Sequence, residues 1–169
     1  MKNTLTFCIL SLFIILTGCS KDSNNDPDNN PGGGNPNPTS EIFTAKVDGN
    51  TFLADDAAAI EVISEGVKSV SIVAGEGENR GISIGIPSFE GVGEYPLNDP
   101  TNPTTGSGAY FEGDLIWTLG EGSSGKVTIT SYKPNESIAG TFYFTGKNLS
   151  NSSMKTVTDG QFNILLIRL

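Results

Sequence analysis

The chain has 169 residues, 17% of them charged, with 21 Gly, 9 Pro, no His and a formal net charge of −9. That length accommodates one ordinary domain, and so many turn-forming residues suit an all-β domain better than a helical one. The acidic excess disfavours nucleic acid and anionic lipid, and the absence of histidine disfavours many enzyme classes and transition-metal centres; no cofactor is expected.

In chain order, the first element is a leader. Lys2 supplies a positive start, and Leu5 to Leu16 form an apolar run of about a dozen residues, short of the roughly 20 that span a bilayer as a helix. Residues 1–18 therefore read as a signal peptide. Leu16, Thr17, Gly18 and Cys19 resemble a bacterial lipobox, which implies cleavage between Gly18 and Cys19 and acylation of the Cys19 thiol. The only other cysteine, Cys8, would leave with the leader. Each buried acyl methylene contributes about 0.8 kcal/mol, so several chains hold a protein on a membrane without help from the domain itself.

The lipidated cysteine opens a tether, residues 19–41. SKDSNNDPDNNPGGGNPNPTS, residues 20–40, contains no aromatic or branched aliphatic side chain to offset its chain entropy and is expected to be disordered. Its root-mean-square span is roughly 25 Å and its extended limit roughly 70 Å. Asp26, Asp28 and Asn30 alternate as in a calcium loop, but Pro31 stands where such a loop needs Gly and no acidic residue closes it.

From Ile42 to Leu169 the pattern is period two. Phe43, Ala45 and Val47 share a face, Asp48, Gly49 and Asn50 turn the chain, and Thr51 to Ala54 return. Ala58, Ile60 and Val62 are expected to continue the apolar face, followed after Gly66 by Val70, Ile72 and Ala74, then Ile82, Ile84 and Ile86. Later runs are Leu115, Trp117 and Leu119; Val127 and Ile129; Ile138, Phe142 and Phe144; and Phe162, Ile164 and Leu166. The closing ILLIRL is apolar on both faces, which predicts a strand buried on both sides. Residues 42–169 thus predict a single antiparallel β-sandwich or flattened barrel of about nine to eleven strands. Ser88 to Gly108 departs from the pattern, with one short strand around Glu94 to Leu97 and then a loop of about ten residues.

GEGSSGK, residues 120–126, has the glycine spacing of a nucleotide-binding loop, but the alternating KVTITSY that follows predicts a strand where phosphate binding needs a helix N-terminus. It is expected to be a hairpin turn, as is GEGENRG, residues 75–81. The adjacent or paired acids Asp55 with Asp56, Glu76 with Glu78, and Asp99 with Asp114 are the sets available for acid–base work, and solvated surface is the simpler reading. Without histidine, a serine nucleophile would need lysine as its base. Trp117 is expected in the core. Tyr132 and Tyr143 fall opposite the apolar faces, and Tyr95, Tyr110 and Phe111 flank the long loop as a candidate ligand surface.

FTAKVDGNTFLA, GVGEYPL, GKVTITSY, SIAGTFYFTGKN and VTDGQFNI together resemble a family of short Bacteroidota lipoproteins of uncharacterised function, IxGTFxF and TDGxF being the most specific pieces. The resemblance implies a β-rich extracytoplasmic domain on a lipid anchor and carries no catalytic residues. Ser20 after the cysteine is compatible with the outer membrane, and SKDSNND leaves both of its sides open. The sequence therefore predicts an outer-membrane lipoprotein that binds a glycan or an envelope protein, rather than an enzyme. A structural accessory subunit and an Asp/Glu-dependent hydrolase are the alternatives.

Overall fold

Period-two patterning produces eleven strands in a computed structural model that describes residues 41–99, 101, 105–120 and 122–169. Gly18, Cys19, the leader and nearly all of the tether lie outside the described residues. The strands are β1 (Ile42–Val47), β2 (Asn50–Leu53), β3 (Asp56–Ser64), β4 (Val67–Glu76), β5 (Arg80–Ile86), β6 (Gly93–Leu97), β7 (Ser107–Glu112), β8 (Leu115–Thr118), β9 (Gly125–Lys133), β10 (Ser137–Lys147) and β11 (Met154–Arg168). They form one sheet in the order β2-β1-β11-β3-β4-β5-β7-β8-β10-β9-β6, and a further β10–β11 pairing closes it on itself. The result is a flattened barrel whose ring is β11, β3, β4, β5, β7, β8 and β10.

Two long strands make closure possible. One edge of β11 pairs first with β1, from Val157 to Asn163, and then with β3, from Leu166 to Arg168. One edge of β10 is likewise shared, with β9 along Ser137 to Phe144 and β8 at Lys147. The expected all-antiparallel pairing is corrected at β11–β3, which is parallel because the chain crosses from β2 to β3 before rejoining β11. The expected hairpin at GEGSSGK, residues 120–126, is also corrected, because β8 and β9 lie one after the other along β10 rather than side by side.

Inward positions carry the core. Phe43, Phe52, Phe142 and Phe162 cluster at its centre, with Phe43 5.1 Å from Phe142 and 6.1 Å from Phe52 between ring centroids. Asp48 (φ 50°) and Gly49 (φ 81°) make the two-residue turn between β1 and β2 that a right-twisted hairpin favours. The phase of β3 is the reverse of that expected. Ala59 and Glu61 point inward, while Ala58, Ile60 and Val62 face solvent. In ILLIRL, Ile164 and Leu166 are buried, but Leu165 and Ile167 are exposed, so this strand is buried on one face only.

Both ends of the sheet order are closed off. On β2, the Leu53 N–H donates to Glu76 Oε1 at 3.0 Å, and just beyond it Asp55 N–H donates to the Gly75 carbonyl at 2.8 Å. On β6, Pro96 has no N–H, and its carbonyl accepts from Gly106 N at 3.1 Å and Thr105 Oγ1 at 2.9 Å.

Candidate functional site

The three aromatics expected to form a ligand surface are not brought together. Tyr110 is 1% exposed, its ring packs 5.7 Å from Trp117 inside the barrel, and its hydroxyl accepts from Arg80 Nε at 3.1 Å. Tyr95 packs on Phe89, donates to the Gly91 carbonyl at 2.7 Å and accepts from Glu90 N at 3.0 Å, so it pins the loop before β6. Phe111 alternates with Tyr110 on β7 and lies on the outer face against Gly81.

The carboxylates serve the two barrel ends. At one end Glu76 pairs with Arg80, whose guanidinium lies over the Phe52 ring at 5.6 Å, and Lys155 lies over Trp117 at 5.4 Å while bridging Asp48 and Glu112. Asp55 accepts the Gly77 N–H at 2.7 Å. At the other end Glu61 is fully buried, accepting from Arg168 Nε at 2.5 Å and from the Tyr132 hydroxyl. Burial alone would raise its pKa. The hydrogen bonds from Tyr132 and Arg168, with the charges of Arg168 and Lys68, outweigh that and hold the carboxyl below its usual range. Burial pushes the Tyr132 hydroxyl up, reinforced by its bond to Glu61. A carboxylate held ionised by a guanidinium is a structural ion pair, with no proton to give at neutral pH. Among the described residues no group of three or more His, Cys, Asp or Glu is placed to hold a metal ion.

Tyr132 faces inward, against expectation, because of a bulge in β9. Ile129 pairs with Gly140 and Ser131 with Ala139, which leaves Thr130 unpaired and reverses the alternation beyond it. A second bulge shapes the outer surface. Phe142 pairs with Gly160 and Phe144 with Val157, so Tyr143 on β10 opposes both Thr158 and Asp159 on β11. Asp159 takes φ 52° there. The two most specific sequence pieces explain each other at this point. Gly140 pairs with Phe162 and Phe142 with Gly160, and a Cβ on either glycine would lie 2.8 Å or less from the facing ring. Each glycine makes room for the opposing aromatic.

On the outer face of β9, β10 and β11 this bend leaves a groove of about 720 Å³, within the range of small-molecule sites. Thr128, Thr141 and Gln161 pair across the three strands and form a polar row along it. The neighbouring row carries Lys126, then Tyr143 at 51% exposure, then Asp159. Each charge is matched from an adjoining strand. Lys126 Nζ lies 2.8 Å from Glu94, and Lys46 Nζ lies 2.8 Å from Asp159. The hydrogen bond to each acid holds both lysines protonated, above their usual pKa.

Residues 39–165 match a family model described as a domain of unknown function, DUF6252. The chain belongs to the DUF6252 family. No curated protein and no solved structure matches it. The DUF6252 match takes in every strand except the last residues of β11, so the whole groove lies within it. What this DUF6252 domain offers there is a set of exposed hydroxyl and amide groups beside one exposed aromatic ring. Tyr143 lies on the outer face, as the alternation of β10 predicts. The groove is not legible in that alternation, its one local signal being the Asp-Gly pair of TDG at a strand position.

Proposed function

We propose that the protein is a lipid-anchored envelope protein, of the short Bacteroidota lipoprotein type, whose barrel binds a glycan in the groove across β9, β10 and β11. The observation that carries this reading is the conjunction of Thr128, Thr141 and Gln161 with the half-exposed Tyr143 in one concave surface. Sugars are held by such hydroxyl and amide contacts together with stacking on an aromatic face. The anchor reading rests on the lipobox Leu16 to Cys19, and Ser20 after the cysteine is compatible with the outer membrane. A glycan array spanning neutral and acidic chains, probed with the full chain, tests the groove. Retention that disappears when Thr141→Arg fills the groove supports the reading, and an array without positives overturns it. For the anchor, Cys19→Ser should abolish fatty-acid labelling, and continued labelling would refute it.

A second reading is favoured by one feature. Ile60, Val62, Leu165 and Ile167 expose an aliphatic strip on the outer face of β3 and β11, beside an uncharged groove of about 520 Å³ floored by Ser69, Ser71 and Gly85. Such a strip suits an envelope protein in a structural assembly.

A further inference from the structure

The groove also constrains which glycan fits it, and this inference rests on the glycan reading above. From the charge and the strand geometry we infer that the ligand is an uncharged, extended glycan chain lying across the strands, with Tyr143 stacked on a central ring.

Charge gives the first constraint. The cations at the groove, Lys126 and Lys46, are each neutralised at 2.8 Å by Glu94 and Asp159 on the neighbouring strand. Among the described residues, both of these cations are already paired, and the chain as a whole carries −9. An acidic polysaccharide would have to break an ion pair to gain a partner, and would approach against the field of the protein. Thr128, Thr141 and Gln161, by contrast, offer donors and acceptors suited to neutral hydroxyls.

Geometry gives the second constraint. The polar row runs perpendicular to the strands, so its groups recur at the interstrand spacing of about 4.8 Å. That is close to the length of one ring in an extended chain of equatorially linked hexopyranoses. Thr128, Thr141 and Gln161 then meet successive rings, one strand each. Tyr143, half exposed, stands on the middle strand in the neighbouring row, within reach of the central ring. An axially linked chain curves and loses this match after one or two rings.

Mannohexaose and its β-1,4-linked mannuronate counterpart separate the constraints, because they share linkage and differ by a carboxylate on each ring. Maltohexaose supplies a curved neutral chain. Titration of the full chain should show binding of mannohexaose or cellohexaose at least tenfold tighter than of either control. Tyr143→Ala should weaken that binding at least tenfold, and Thr141→Val severalfold, with unfolding midpoints unchanged because both side chains point to solvent. Tighter binding of the mannuronate chain, still dependent on Tyr143, would overturn the uncharged assignment and leave the glycan reading standing. Tighter binding of maltohexaose would overturn the extended geometry. Binding indifferent to Tyr143→Ala would overturn the placement, and no binding by any of these chains or on the array would overturn both readings.

Discussion

Replacing Glu61 with Gln keeps the shape of the side chain and removes its charge. In the folded protein Glu61 is fully buried, held by Arg168 Nε at 2.5 Å and by the Tyr132 hydroxyl, and the backbone carbonyl of Glu61 also accepts the Leu169 N–H at 3.0 Å. Stranding one partner of a fully buried ion pair costs about 3–5 kcal/mol. Here the Arg168 side chain is 30% exposed, so water takes up part of its unmatched charge, and Gln retains one acceptor. The expected loss is therefore about 2–3 kcal/mol, at the level of one or two charge-assisted hydrogen bonds. For a domain of this size that lowers the melting temperature by about 6–12 °C. Trp117, the only tryptophan and almost fully buried, reports the transition by its fluorescence. The effect also depends on pH with a definite sign. Because the folded pKa of Glu61 lies below the unfolded value of about 4.3, its stabilisation is complete above that value and drains away as pH falls through the folded one. The gap between wild type and Glu61→Gln should thus be full at neutral pH and shrink in acid. A gap under about 0.5 kcal/mol at neutral pH, or one that does not change in acid, would refute the ion-pair account.

Two further substitutions test the architecture around the groove and the long loop. In Gly140→Ala the new Cβ would lie 2.3 Å from the Thr128 carbonyl oxygen and 2.8 Å from the Phe162 ring, so a loss of about 1–3 kcal/mol is expected in urea unfolding. Gly120→Ala, with nothing within 4 Å, is the control, and equal midpoints would show that the glycine–aromatic pairing is not tight. Asn98 takes φ 58° while its Nδ2 donates to the Gly120 and Ser123 carbonyls at 2.7 and 2.9 Å. Asn98→Ala should cost about 2–3 kcal/mol, and Asn98→Gly less, because glycine relieves the backbone. The reverse order of midpoints would contradict the assigned geometry.

Strand content was legible because alternation is a local property. Phe43, Ala45 and Val47, or Ile82, Ile84 and Ile86, announce their buried face without reference to the rest of the chain. What failed depended on distant partners. In β3, both faces carry aliphatic residues, and a carboxylate at position 61 marks its face as outer by every local rule. Only Arg168 and Tyr132, 107 and 71 residues away, allow it inside. ILLIRL misled in the complementary way, since Leu165 and Ile167 are as apolar as their buried neighbours. Tyr132 and the groove were lost at bulges, where one unpaired residue reverses or displaces the alternation that a period-two reading extrapolates. The candidate ligand surface failed for a related reason. Closeness to a long loop says nothing about which way Tyr110 points, and its place on β7 turns it into the barrel.

The capped edges of β2 and β6 bear on crowding. Anchoring by lipid would confine copies of the domain to a plane, where neighbours meet far more often than in solution. An open strand edge under those conditions is a template for sheet-to-sheet growth between molecules. With Glu76 covering Leu53, and Pro96 already engaged by Thr105 and Gly106, neither edge offers such a template at these positions. On a lipid-anchored domain these two contacts would disfavour edge-to-edge pairing between neighbours.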